Sequence, residues 1–265
     1  MVRSMIHKRL VICILVCATS ACEGEERFLA ENAGIRRVCF VGSRAVAVGE
    51  CGILLLSDNF GASWTVRASP TLEPFRHVET SGSIAWALGS YFKLFRFRPE
   101  GESWSTTTCP VHPSAACVWD NTRLCVADRE RTCVSDDGGV TWSATRTEGF
   151  DDLCVLADGT AIGTGNSVGT GSESRGLFST SDFGRTWVRL RDAPRRRFRH
   201  LCAQSDSWAA VTGSPRGTRQ VVVTGTGTKL AVADVPELIR SVRRIVLNQE
   251  RNIWAITDDN QLWIR

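Results

Sequence analysis

Tyrosine occurs once in the 265 residues, at Tyr91, methionine twice and histidine four times. Lysine is nearly missing as well: beyond Lys8 there are only Lys93 and Lys229, so arginine carries the positive charge. Each scarcity removes a class of chemistry. The histidines do not stand near the cysteines in a zinc spacing, and the eleven cysteines contain no two close Cys-x-x-Cys pairs, so no metal and no other cofactor is expected. The apolar run Leu10 to Val16 is too short to cross a bilayer as a helix. The wealth of arginine is no functional signal by itself, since base composition can set it.

The short apolar run has another use. Arg3, Lys8 and Arg9 form a basic start, Leu10 to Val16 an apolar centre, and Ala18-Thr19-Ser20-Ala21 a stretch of small residues. That order is an export signal over residues 1–21. Cys22 follows directly and resembles the lipidated cysteine of a bacterial lipobox, with Thr19 where leucine is typical. On that reading residues 22–26 are a polar tether. The protein is then a membrane-anchored lipoprotein of the cell envelope, facing the periplasm or the exterior. Ordinary signal-peptidase cleavage, releasing a soluble protein, is the alternative. Without residues 1–21 the chain holds 29 basic against 28 acidic side chains, a net of +1, which argues against nucleic acid as a partner. Export permits disulfides among the eight cysteines left after Cys13, Cys17 and Cys22, but eight allow too many pairings for connectivity to be read. Cys117, Cys125 and Cys133 fall opposite one another on successive apolar runs, so one pair of them could bridge.

What the chain has in abundance is one recurring phrase. It reads Ser135-Asp136-Asp137-Gly138-Gly139-Val140-Thr141-Trp142, then Thr180-Ser181-Asp182-Phe183-Gly184-Arg185-Thr186-Trp187, and earlier Ser57-Asp58-Asn59-Phe60-Gly61-Ala62-Ser63-Trp64. A worn copy ends at Gly101-Glu102-Ser103-Trp104. The pattern S/T-x-D/N-x-G-x-S/T-W closely resembles the Asp-box of the BNR-repeat β-propellers. Its residues are expected to build a turn: the glycine takes a backbone shape closed to side chains, the acid or amide accepts backbone N–H groups, and the tryptophan buries its ring in the next strand. Ser57, Asn59, Gly61 and Trp64, Ser135, Asp137, Gly139 and Trp142, and Thr180, Asp182, Gly184 and Trp187 are therefore structural candidates and not catalytic ones.

A second motif runs in phase with the first. Ile35-Arg36-Arg37-Val38-Cys39 aligns with Phe75-Arg76-His77-Val78-Glu79, Phe150-Asp151-Asp152-Leu153-Cys154, Phe198-Arg199-His200-Leu201-Cys202 and Val242-Arg243-Arg244-Ile245-Val246, with Pro113 to Cys117 the weakest copy. Two further short β-rich runs follow each copy, and together they read as strands A, B and C, the box, and strand D. Repeats of this length suit propeller blades. The fold expected is an all-β propeller over residues 27–265, of six four-stranded blades, with seven as the alternative. The last unit stops after its C strand, and Arg27-Phe28-Leu29-Ala30 is expected to supply its D strand and close the ring.

In such a ring the D–A connections and B–C turns share one end, and the boxes lie at the other. The first end collects a candidate binding set: Arg36, Arg37, Arg76, His77, Arg195, Arg196, Arg197, Arg199, His200, Arg243 and Arg244. Asp151, Asp152, Glu50, Tyr91, Arg129, Glu130, Arg131, Arg216, Arg219, Asp258 and Asp259 fall there too, beside a Gly- and Ser-rich insertion from Asn166 to Arg175. Forked guanidinium donors favour carboxylate, sulfate or phosphate. The alternative is that each arginine pairs with a neighbouring acid.

The box also raises the sialidases, whose activity would need an arginine triad, a tyrosine nucleophile late in the ring and an Arg-Ile-Pro signature. The signature is absent and Tyr91 stands early, so no catalytic residue is assigned. The compact repeat resembles more closely the photosystem II stability/assembly-factor propellers and the bacterial proteins grouped with them as WD40/YVTN/BNR-like. That resemblance implies a family that binds other proteins during assembly and is typically seven-bladed. The reading is a non-catalytic scaffold for an anionic protein segment or glycan, with a glycoside hydrolase or a passive envelope component as alternatives. The oligomeric state is not legible.

Overall fold

The computed structural model describes residues 34–41, 44–59, 63–82, 84–98, 103–145, 149–166, 175–212, 221–233, 242–247, 253–257 and 262–264. The export signal, Cys22, the segment Arg27–Ala30, Gly61, most of the 166–175 insertion, Arg216, Arg219, Asp258 and Asp259 lie outside them.

Every described element but one turn is a strand, and the strands form up-and-down sheets. The first holds β1 (Ile35–Val41), β2 (Arg44–Gly49), β3 (Leu54–Ser57) and β4 (Thr65–Arg67), with a short 3-10 turn, Glu50–Gly52, between β2 and β3. The second holds β5 (His77–Ser81), β6 (Ile84–Leu88), β7 (Lys93–Arg98) and β8 (Ser103–Thr108). The third holds β9 (Ala115–Val118), β10 (Leu124–Ala127), β11 (Thr132–Ser135) and β12 (Ser143–Thr145). The fourth holds β13 (Phe150–Val155), β14 (Ala161–Asn166), β15 (Arg175–Thr180) and β16 (Val188–Arg189). The fifth holds β17 (Phe198–Gln204), β18 (Ser207–Thr212), β19 (Val222–Thr226) and β20 (Lys229–Ala233). The last holds β21 (Val242–Leu247), β22 (Ile253–Thr257) and β23 (Leu262–Ile264).

The expected six four-stranded blades are thus corrected to five, followed by a three-stranded sheet. Among the described residues the last sheet holds three strands, and the segment assigned to its fourth, Arg27–Ala30, lies outside them. No seventh sheet occurs among the described residues. The first strands of successive sheets contact one another in order, β1 to β5, β5 to β9, β9 to β13, β13 to β17 and β17 to β21, so they surround a common axis. In the third sheet the first strand begins at Ala115 and not at Pro113, because proline has no N–H to give a ladder.

Burial explains the composition of each strand. Second strands are sandwiched between neighbouring blades, and Ile84 to Leu88, Leu124 to Ala127 and Ser207 to Thr212 are buried at every position. They therefore read as continuous runs of small and apolar residues instead of alternating ones. Fourth strands face water on one side: Ser103 to Thr108 is mostly exposed and rich in Ser and Thr. The core lies between blades. Ile84, Trp86 and Leu94 of the second sheet meet Ala116, Val118, Leu124 and Val126 of the third. Three of the tryptophans that close turn phrases pack where their own blade meets the preceding one: Trp104 joins the first–second core, Trp142 the second–third and Trp187 the third–fourth, whereas Trp64 packs against its own sheet. These rings are half-buried, and each covers part of the seam between blades, so the phrase ties blade to blade as well as strand to strand.

Candidate functional site

The turn phrases are saturated with internal bonds. The Ser135 hydroxyl donates to Asp137 Oδ1 at 2.8 Å and accepts the Gly139 N–H at 2.8 Å. Asp137 also accepts the Val140 and Thr141 N–H groups at 3.0 and 2.9 Å and the Thr141 hydroxyl at 2.5 Å. Thr180, Asp182, Gly184 and Thr186 repeat the set, and Ser57, Asn59 and Ser63 repeat most of it with an amide. The Trp142 and Trp187 indole N–H groups each donate to the glycine carbonyl at 3.1 Å. Hydrogen bonds from the Thr141 hydroxyl and N–H hold the Asp137 carboxyl down to about 2. Burial opposes the same effect at Asp182, but the Thr186 and Thr180 bonds win and its pKa is lowered. Both carboxylates are engaged in holding their turns.

At the opposite end a β-bulge recurs. The register of the first strand slips between Ile35 and Arg37, Phe150 and Asp152, Phe198 and His200, and Val242 and Arg244. Arg36, Asp151, Arg199 and Arg243 are the extra residues, and a bulge turns the extra residue off the ladder. The polar doublets therefore split. Their first members stand at the rim. Their second members, Arg37, His77, Asp152, His200 and Arg244, share one register position around the axis, with Ala115 in the third sheet.

Three members of the axial set meet across the ring. Arg37 from the first sheet pairs with Asp152 from the fourth, over 115 residues of sequence. His77 Nδ1 from the second lies 3.7 Å from Asp152 Oδ1, and its Nε2 lies 3.0 Å from Glu79 Oε1. The Leu201 N–H of the fifth sheet donates to Asp152 Oδ2 at 2.9 Å, and Leu153 N–H donates to Oδ1 at 3.2 Å. One carboxylate thus ties four blades. Burial works against the Arg37 charge, but Asp152 and Glu79 outweigh it and raise its pKa. Two residues further along each strand come Cys39, Glu79, Cys117, Cys154 and Cys202. Burial pushes the Cys39 thiol up to about 12 and raises Cys117 and Cys154 well above the ordinary range. These are neutral thiols, unsuited to nucleophilic work. Cys117 faces Cys125 directly across β9 and β10, while Cys133 faces Val126. All eight described cysteines are free, and no group of side chains that could hold a metal occurs among the described residues.

The rim is less uniformly basic than the sequence suggests. Arg36 Nε donates to Glu50 Oε1 at 2.6 Å, and Arg197 Nε to Asp151 Oδ2 at 3.1 Å. Arg76 and Arg196 are exposed and make no ion pair among the described residues, and Arg129 of the Asp128–Arg131 turn joins them. Arg195 is exposed and His200 half-buried, while the side chains of Arg199, Arg243 and Arg244 lie outside the described ones. What the sequence reading missed is the axial hub of Asp152 and Glu79. The available signal was the doublet of polar residues inside an otherwise apolar strand, which breaks alternation and marks a bulge.

Solved structures share the fold. YCF48 from Cyanidioschyzon merolae superposes with a TM-score of 0.62 at 16% identity, over 88% of this chain and 82% of that one. The fold is that of a β-propeller. The structure titled "YCF48 bound to D1 peptide" gives a TM-score of 0.61 at 16% identity, over 88% of this chain and 77% of its own. A GH74 enzyme from Niastella koreensis gives 0.64 at 11% identity, over 87% of this chain and only 45% of the enzyme. At such identities the likeness speaks for the fold alone. No protein-family model and no curated protein matches the chain.

Proposed function

We propose that this chain is a non-catalytic binding propeller whose D–A and B–C end receives an anionic partner, a protein segment or a glycan. The observation that carries the reading is a mismatch of charge at that end. Glu50, Asp151 and Asp152 are each held by a guanidinium, of Arg36, Arg197 and Arg37. Exposed Arg76, Arg129 and Arg196 are left without a carboxylate among the described residues. Planar donors of this kind accept carboxylate or sulfate in a forked geometry. A peptide-bound neighbour of the same fold supports a protein partner. The turn phrase, with its Asp-box pattern, supports placing the chain among the BNR-like propellers. In this proposal Cys22 carries a lipid and holds the scaffold at the bacterial envelope.

Charge reversal tests the binding reading. Arg76→Glu, Arg129→Glu and Arg196→Glu together are expected to abolish retention on polyglutamate and on a sulfated polysaccharide, with the thermal unfolding profile nearly unchanged. Equal retention by the variant would sink the proposal. Sustained turnover of fluorogenic sialosides or other glycosides by the wild-type protein would do the same for its non-catalytic part.

A further inference from the structure

The turn between β6 and β7 places two bulky residues in the left-handed region one after the other: Tyr91 at φ 53° and Phe92 at φ 64°. Such a turn is served by Asn or Gly, and large side chains strain it. Phe183 also has positive φ, 59°, but its ring lies edge-on to Trp119 at 5.7 Å and under the Arg123 guanidinium at 4.0 Å. Packing accounts for Phe183. It does not account for Tyr91, which is 69% exposed and makes no side-chain contact of these kinds among the described residues. Phe92 is 42% exposed, and its ring meets the His112 ring edge-on at 5.5 Å.

The neighbourhood is fixed rather than loose. Cys109 N–H donates to the Phe92 carbonyl at 2.6 Å, and Gly89 N–H to the Lys93 carbonyl at 3.0 Å. The connection from β8 to β9 therefore lies against this turn. On its other side Arg131 of the next blade donates to the Pro110 carbonyl at 3.3 Å, with its side chain 55% exposed and Asp128 only at 3.8 Å. The connection thus links Phe92, beside Tyr91 in the chain, through His112 and Pro110 to Arg131, with aromatic side chains at one end and a guanidinium at the other. Leu72, 86% exposed, stands at the same end of the ring.

We propose that this surface is a docking site for an extended peptide that presents an apolar side chain beside a carboxylate: the apolar group packs on Tyr91 and Phe92, and the carboxylate meets Arg131. The proposal rests on the binding reading above and names the partner class within it. A peptide fits better than an anionic membrane, because Asp128 and Glu130 alternate with Arg129 and Arg131 in the same turn. That alternation suits a single carboxylate and repels a continuous negative surface.

The test uses fluorescent Gly/Ser peptides carrying one Phe or Leu next to one Glu, with controls in which the apolar residue is Ser or the acid is Gln. Polyglutamate and phosphatidylglycerol vesicles complete the set. The apolar–acidic peptide is expected to bind about tenfold more tightly than either control, and Tyr91→Asn with Phe92→Gly to remove that advantage. Because Asn and Gly suit left-handed backbone, the same variant should keep or raise the urea midpoint, which separates lost binding from lost folding. Arg131→Gln should erase the preference for Glu over Gln. If the variant binds the apolar peptide as well as wild type, or if vesicle binding is what it loses, the docking site is wrong. Polyglutamate binding without any apolar preference removes this inference and leaves the anionic-partner reading standing. Failure of every anionic probe removes both.

Discussion

Removing the carboxylate of Asp152 should damage the whole ring, because that group is the meeting point of four blades. Asp152 is 2% exposed and receives Arg37, the Leu153 N–H and the Leu201 N–H, with His77 close by. Asp152→Ala leaves the Arg37 guanidinium facing a hole, and breaking a buried pair in this way costs about 3–5 kcal/mol. The Arg37 side chain keeps 22% of its exposure and can reach some water, so the lower end applies, about 3 kcal/mol. The orphaned Leu201 N–H adds roughly 1 kcal/mol more. Against a total stability of about 5–15 kcal/mol for a domain, a loss near 4 is a large share. Urea unfolding followed by tryptophan fluorescence measures it. Asp152→Asn should cost less, since the amide oxygen still accepts one N–H. Arg37→Met combined with Asp152→Ala should cost clearly less than the two single changes added together, because the second change removes a charge already stranded by the first. If Asp152→Ala shifts stability by under about 1 kcal/mol, or if the cycle shows no coupling, the carboxylate is not a clasp.

Acid should loosen the turn phrases. The Asp137 carboxyl, held down to about 2, and the Asp182 carboxyl, also lowered, contribute stability that is whole above the ordinary carboxylate range. That contribution is lost as pH falls through the lowered values. Asp137→Asn with Asp182→Asn should therefore flatten the decline of the thermal midpoint on the acid side; an unchanged slope would contradict the assignment. Asn59 already makes the amide version of the same turn. Glycine substitutions probe the close packing of the same turns. Gly184 and Gly159 both have φ of +84°, but a Cβ on Gly184 would come within 3.0 Å of the Cys125 sulfur, whereas one on Gly159 meets nothing within 4 Å. Gly159→Ala should cost about 1–2 kcal/mol from its backbone alone, and Gly184→Ala distinctly more; equal denaturant midpoints would count against the packing argument.

The parts of this fold written in short sequence windows were open to reading. The turn phrase is local: Ser135, Asp137, Gly139 and Trp142 find each other within eight residues, and so their roles follow from side-chain chemistry. The short apolar runs of the second strands were legible as strands. The site was less legible because its decisive contacts are long-range. Nothing near Arg37 in sequence points to Asp152, and nothing near Arg197 points to Asp151. The reading placed all the doublet residues on one face because it took the first strand as regular. A bulge adds one residue, and that single slip sends Arg36 to the rim and Arg37 to the axis. The count of complete blades failed for a related reason. A blade needs a fourth strand paired in space, and the repeat can show only that three strand-forming runs follow Val242.

The split made by the bulge also bears on where a partner can bind. Axial positions that carry charge are the natural place to look for a ligand in a closed ring of sheets. Here Arg37, His77, Glu79 and Asp152 satisfy one another, and the Cys117 and Cys154 thiols beyond them are buried and neutral. A ligand entering the axis would have to break a buried pair before making any bond of its own, at a cost of about 3 kcal/mol or more. The rim imposes no such cost. Its free guanidinium groups are already hydrated, and Tyr91 and Phe92 already stand in water, so covering them releases water without disrupting a contact. The doublet motif therefore locks the axis with its second residue, while at the rim Arg36 and Asp151 are paired and Arg76 stands exposed, so the proposed binding is placed at the connections between blades.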